Sequence, residues 1–143
     1  MINRGVEQSS DCEYIVFKYI EGQTLSDITY EQSLSMHEAF RLVKKVTNII
    51  VEMHQKGVVH GDIHGENVMM NKLRKVTLID LWSKEKSMFD DVVDICKLYH
   101  EVTYDKKNIP LGIKDLFPKK RDAVLRRYRN VNELQTKIIE LTR

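Results

Sequence analysis

The stretch that decides the reading is Val58-Val59-His60-Gly61-Asp62-Ile63-His64-Gly65-Glu66-Asn67-Val68-Met69-Met70, followed after a polar link by Val76-Thr77-Leu78-Ile79-Asp80-Leu81. Two carboxylates and one amide are offered from short loops between apolar, strand-like runs. Asn67 follows Asp62 by five residues, and Asp80 follows Asn67 by thirteen. These residue types in this order suit phosphoryl transfer. One carboxylate takes the proton of an acceptor hydroxyl, while an amide oxygen and a second carboxylate hold magnesium against the phosphates.

His60-Gly61-Asp62, Asn67 and Asp80-Leu81-Trp82 resemble the catalytic core of the protein kinase-like superfamily. Its loop reads His-x-Asp with Asn five residues after the Asp, followed by an Asp-Phe-Gly-like element. Gly61 and His64 look more like bacterial, archaeal and small-molecule members than like typical eukaryotic protein kinases, which have Arg and Lys there. The resemblance implies that Asp62 is the catalytic base and that Asn67 and Asp80 are the magnesium ligands on ATP. It implies that His64 contacts the transferred phosphate, that His60 packs the loop, and that Asp91 ties the loop backbone from beneath, with Asp94 as the alternative. Trp82 stands in place of the Gly, which removes access to positive φ and suggests a segment fixed in one conformation. A chance His-Gly-Asp in an ordinary loop is the competing reading, and the apolar runs on both sides argue against it. Zinc at His60 and His64 is not expected, because Gly61 and Gly65 disfavour a helix that would align the pair and no third ligand is evident.

The bulk properties describe an ordinary soluble chain. It has 143 residues, 42% hydrophobic and 31% charged, enough for one domain with a core. No apolar run reaches membrane-spanning length, and the start of the sequence lacks a secretory apolar region. Cys12 and Cys96 show no metal spacing and fit a reducing compartment, so a cytoplasmic protein is expected, with no membrane partner. Residues 1–80 hold 9 Lys/Arg against 11 Asp/Glu and residues 81–143 hold 14 against 10. The excess lies around Lys119, Lys120, Arg121, Arg126, Arg127 and Arg129. It is read as a solvated helix face before a docking site for an acidic or phosphate-rich partner, and nucleic acid is not expected.

Ile2 to Glu7 and Glu13 to Ile20 read as a hairpin joined by turn residues at Gln8 to Asp11, with Gly22 ending the second strand. Glu21-Gly22-Gln23-Thr24-Leu25 then resembles a kinase hinge. That implies Phe17 as the gatekeeper, with the backbone groups of Lys18 and Ile20 facing the adenine of ATP. Ser35-Met36-His37-Glu38 is a capping-box signature opening a helix to Gln55, whose apolar face runs through Phe40, Val43, Val46, Ile50 and Met53. Gly57 caps it. Asp91 to Val102 is a second helix, Lys119 to Arg129 a basic helix, and Val131 to Leu141 a final amphipathic one. Only ten residues separate Asp80 from Asp91, and no Ala-Pro-Glu element occurs among them. That leaves little material for a peptide platform or for control by loop phosphorylation.

The expected fold is α+β and mainly α: one kinase-like domain over 1–143, with 1–22 as remnant N-lobe strands and hinge and 23–143 as a helical C-lobe. Most of an N-lobe, including the Gly-rich loop and its Lys, is missing from this sequence, so the chain is expected to be a truncation, to be completed by a protein partner, or to bind phosphate weakly or not at all. The expected activity is ATP- and Mg2+-dependent phosphoryl transfer of the serine/threonine-kinase-like type to a hydroxyl on a protein or small molecule. The alternatives are a catalytically impaired kinase-like module that needs a partner, and a small-molecule kinase of the aminoglycoside or choline type.

Overall fold

The computed structural model describes residues 2–7, 12–32, 34–81, 85–107 and 109–142, with side chains from residue 18 onward. It is mainly helical, with a small three-stranded antiparallel sheet and a separate two-stranded hairpin. The hairpin consists of β1 (Ile2–Glu7) and β2 (Cys12–Phe17), registered so that Ile2 faces Phe17 and Glu7 faces Cys12. The turn expected at Gln8 to Asp11 lies outside the described residues. The second strand stops at Phe17, not Ile20. Lys18, Tyr19 and Ile20 form an irregular connection, with Lys18 and Tyr19 exposed.

The sheet is built from β3 (Gln23–Thr24), β4 (Val68–Met70) and β5 (Val76–Leu78) in that order. Gln23 opposes Met70, and Met70 opposes Val76. The polar turn between β4 and β5 is closed by Asn71, whose Oδ1 accepts from the amides of Leu73 and Lys75, both at 2.9 Å. This is the local side-chain chemistry that favours Asn in turns. After β3, α1 (Leu25–Glu31) follows with Thr24 as its N-cap. That short helix was not expected from the sequence, since only Leu25 and Ile28 of it are buried and seven residues give little periodicity to read.

The core is three helices. In α2 (Met36–Gln55) the Ser35 hydroxyl accepts from the Glu38 amide at 3.1 Å, and the Glu38 carboxylate accepts from the Ser35 amide at 3.0 Å. Both orphan donors at the helix start are thereby satisfied, which fixes where the helix begins. Leu42, Val43, Val46 and Ile50 recur at helical spacing and are buried. They pack against α3 (Met88–Val102) and α6 (Val131–Leu141), whose inner faces supply Val92, Ile95, Leu98, Val131, Leu134 and Ile138. Gly57, at φ +74°, closes α2.

α3 begins at Met88, three residues before the expected start. Ser87 donates its amide to the Asp90 carboxylate at 2.7 Å and so caps the helix ahead of Asp91. The basic helix is shorter than expected: α5 covers Arg121–Arg127, preceded by a single turn, α4 (Leu111–Lys114). Phe117, between them, stacks on Tyr99 at a 4.2 Å centroid distance, and the buried Tyr128 hydroxyl donates to the Leu116 carbonyl at 2.7 Å. These contacts pin the connecting segment to α3. No helix among the described residues is long and apolar enough to cross a membrane.

Cys96 is fully buried in α3, and that burial pushes its thiol up to about 12. The thiolate is the reactive form. Cys96 is therefore expected to resist iodoacetamide in native buffer and to be alkylated only in denaturant, as read by peptide-resolved mass spectrometry.

Candidate active site

The loop from Val58 to Asn67 has no regular structure of its own, so its amides need acceptors from elsewhere. One helix supplies most of them. The buried Asp91 carboxylate accepts from the His60 amide at 2.9 Å through Oδ2 and from the Gly61 amide at 2.8 Å through Oδ1. Asp94 Oδ2 accepts from the Ile63 amide at 3.2 Å, and both Glu101 oxygens accept from the Gly65 amide at 3.1 and 3.2 Å. Positions 91, 94 and 101 share one stripe of α3 and span about 15 Å at 1.5 Å per residue. The loop is thus laid along α3 amide by amide. His54, from the last turn of α2, completes the anchor with Nε2 at 2.8 Å from Asp91 Oδ2. On the other side, Ser26 of α1 donates its amide to the Gly65 carbonyl at 3.0 Å.

Two glycines are required by this course. Gly61 sits at φ +86°, a conformation costly for any residue with a Cβ. At Gly65 a Cβ would meet Glu101 Oε1 and would lie 2.6 Å from the Ser26 hydroxyl, so the carboxylate strap needs a bare backbone there.

His60 is buried. Its Nδ1 accepts from the Asp62 amide at 3.2 Å, leaving Nε2 to donate to the Ile79 carbonyl at 2.9 Å. Those two partners fix the tautomer, with the hydrogen on Nε2. The same Ile79 donates its amide to the Asn67 carbonyl at 2.9 Å. The residue before Asp80 is therefore bonded to both ends of the loop, which fixes where the chain leaves β5 toward Asp80. Asp80 itself has φ +54° and an exposed side chain. A non-glycine residue in the left-handed region is uncommon and tends to occur where surrounding structure imposes it for function.

Three side chains converge at the loop's mouth. Asn67 Nδ2 donates to the Asp62 carbonyl at 2.8 Å and to Asp62 Oδ2 at 3.0 Å. His64 Nε2 lies 3.3 Å from the same carboxylate oxygen and 3.1 Å from Asn67 Nδ2. His64 Nδ1 accepts from the Glu66 amide at 3.3 Å, so Nε2 is the donor to Asp62. Asp62 and His64 are about half exposed, whereas Asn67 is 5% exposed. Both amide hydrogens of Asn67 are engaged, and its Oδ1 accepts nothing from a described residue. An amide oxygen and a carboxylate are hard donors of the kind magnesium prefers, so Asn67 and Asp80 fit such an ion chemically.

The protein kinase domain family profile matches residues 3–88, well over half the chain. The chain belongs to the protein kinase family. Among curated relatives, the serine/threonine-protein kinase PrkC of Bacillus subtilis is 31% identical over 74 residues, which is 51% of this chain and 11% of that protein. The KEOPS complex subunit Bud32 of Pyrococcus abyssi is 34% identical over 80 residues, 56% of this chain and 34% of that protein. The probable serine/threonine-protein kinase PknB of Bifidobacterium longum is 34% identical over 77 residues, 51% of this chain and 11% of that protein. This kinase-family chain thus spans between about a tenth and a third of the length of these relatives.

Asp62, His64 and Asn67 are brought together, with His60 and Asp91 beneath them, and Asp80 follows Ile79, whose backbone is bonded to the loop. Lys18 and Ile20 lie in the connection between β2 and β3, outside this bonded cluster. The Phe17 side chain and Trp82 fall outside the described residues. Sequence reasoning missed His54, Glu101 and Ser26. Glu101 and Ser26 give no signal in the sequence because each acts through a backbone group of the loop, and His54 acts one step removed, through the Asp91 carboxylate.

Asp91→Ala is expected to leave two buried amides without an acceptor and to lower stability by about 3–5 kcal/mol, read from the urea midpoint, with Asp91→Asn intermediate. Burial holds the Asp94 carboxyl above the ordinary aspartate range; the Ile63 amide opposes this, and the neighbouring Asp91 adds to it. A raised folded-state value means stability that is present below the unfolded value and lost as pH rises through the folded one. Asp94→Asn should therefore gain stability relative to the parent as pH rises above the ordinary aspartate value of about 4. A difference that stays flat as pH rises would refute the assignment.

Proposed function

We propose that this chain carries the catalytic half of an ATP- and Mg2+-dependent phosphotransferase acting on a hydroxyl acceptor of the serine/threonine type. Residues 1–22 are assigned to the N-lobe strands and hinge and residues 23–143 to the C-lobe. The observation that carries the proposal is the Asn67 amide bonded through Nδ2 to Asp62, beside an Asp80 in the left-handed region. Family membership and the serine/threonine kinases among the relatives support the same chemistry.

Asp62 is the group that orients the acceptor hydroxyl and takes its proton. Its carboxylate is aimed by two hydrogen bonds, from Asn67 Nδ2 and His64 Nε2, and half of its side chain stays open to an incoming substrate. Asn67 has its amide nitrogen committed to Asp62, so its oxygen is turned to a cation together with the Asp80 carboxylate. When bound, Mg2+ and ATP supply the charge neutralisation and the transferable phosphoryl group. His64 stands where it can donate to a phosphoryl oxygen, and the backbone of Lys18 and Ile20 is assigned to the adenine edge. Most of the rate enhancement is positioning and fixed electrostatics, which the α3 strap supplies by holding the loop amides. A protein partner that completes the N-lobe belongs to the same proposal.

Nucleotide binding measured by titration calorimetry is expected to depend on magnesium and to weaken in Asp80→Asn. Phosphoryl transfer should fall roughly a hundredfold or more in Asp62→Asn and Asp80→Asn, with circular dichroism and urea midpoints unchanged. An Asp80→Asn protein that transferred phosphate at the parent rate would refute the proposal.

A further inference from the structure

A hollow of about 740 Å3 runs along the exposed side of α2, bordered by the start of α4 and the end of α6. Its floor is apolar: Phe40 and Ile113 pack against the core, and Met36, Pro110 and Leu141 extend the surface they form. Among the described residues, every ionisable side chain lining it is basic, namely His37, Arg41, Lys44 and Lys45. None of the four is paired with a carboxylate. Lys44 Nζ donates to Thr142 Oγ1 at 3.3 Å and Lys45 Nζ to the Arg74 carbonyl at 2.6 Å. His37 and Arg41 make no hydrogen bond or ion pair with a described residue. The carboxylate of Glu38 is bonded to the Ser35 amide and to Arg74, borders the next hollow together with Arg41 and Lys45, and feels the charge of His37.

A merely solvated basic face would not need an apolar floor, and a merely apolar hollow would not be bordered by a row of basic side chains. A second basic hollow, between α5 and α6, is lined by Asp115 and Glu133 as well as by Arg126, Arg127 and Lys137, so part of its charge is already balanced, and in a third, lined by His100, Lys106, Lys114 and Lys119, Lys106 is paired with Asp105. The α2 groove sets a row of basic side chains at four-residue spacing along an apolar floor.

Its dimensions select an occupant. Met36 to Asn48 covers about 18 Å of helix at 1.5 Å per residue, a length that takes five to six residues of extended chain at about 3.3 Å each. His37, Arg41 and Lys45 repeat every four residues, about 6 Å apart along the axis. Alternate side chains of an extended strand are spaced about 6.7 Å and share one face, while the intervening ones point to the other. We propose that this groove binds an extended segment of a partner protein in which Asp or Glu alternates with bulky apolar residues. The acids lie along the α2 cations, and the apolar side chains enter the Phe40–Ile113–Leu141 floor. None of the groove residues belongs to the catalytic loop, so the proposal stands apart from the phosphotransferase reading.

The test is fluorescence anisotropy with three labelled hexapeptides: Glu-Leu-Glu-Phe-Glu-Leu, its counterpart with Gln for Glu, and the block order Glu-Glu-Glu-Leu-Phe-Leu. A single-stranded DNA hexamer serves as a second polyanion. The alternating acidic peptide is expected to bind at least tenfold more tightly than the other three probes. That binding should weaken at least tenfold in Arg41→Glu and, separately, in Lys44→Glu, each checked for native circular dichroism. It should be unchanged in Lys120→Glu and in Asp80→Asn. Absence of binding, equal affinity for the block-order peptide, tighter binding of the DNA, or insensitivity to Arg41→Glu and Lys44→Glu would each overturn the proposal.

Discussion

A buried carboxylate holds the candidate site in place. Asp91 is wholly removed from solvent, and its two oxygens receive the amides of His60 and Gly61 together with the imidazole of His54. A lone carboxylate at that depth would carry a large desolvation penalty, and three short hydrogen bonds offset it. The converse matters as much: the loop has no ladder of its own, and without Asp91 its first amides would be buried and unsatisfied. Anion and loop therefore stabilise each other, and the contact also ties α2, α3 and the loop into one unit.

From that anchor, α3 works as a straight edge. Because an α-helix is stiff and rises evenly, carboxylates at Asp91, Asp94 and Glu101 fix three points of the loop at set distances. The course so imposed explains Gly61, which turns through positive φ, and Gly65, over which Glu101 and Ser26 close. It also explains why His60 is buried. From the underside of the loop its ring bridges to Ile79 and sets where β5 releases Asp80. The polar groups at the mouth are thus held by packing some distance away, and they need little support from one another beyond the Asn67–Asp62 bond.

α2 has two duties on two faces. Its inner face, through Val43, Val46 and Ile50, forms the middle of the core, and His54 at its end reaches Asp91. Its outer face carries the cations of the groove above Phe40. A helix whose position is fixed by burial on one side presents the other side as a rigid row, which is what an extended ligand needs to read spacing.

Much of this was legible in the sequence because it is local. The Ser35 capping box, the periodicity of α2 and α6, and the Asn71 turn arise from residues within a few positions of each other, and the structure has them where local chemistry puts them. The loop motif, with its spacing of Asp62, Asn67 and Asp80, likewise pointed to the protein kinase family. What the chain alone did not disclose is weakly signalled or non-local. The extra helix α1 and the start of α3 at Met88 rest on single local caps, Thr24 and Ser87, too small a signal beside the longer periodic runs. Glu101 and Ser26 reach loop backbone from 36 and 39 residues away, through N–H and C=O groups that every residue possesses, and His54 acts through the side chain of Asp91. Side-chain type alone determined which chemistry the loop offers. Only the folded helices decided which carboxylates hold it and in what conformation, because backbone hydrogen bonds leave no mark on the identity of the residues that make them.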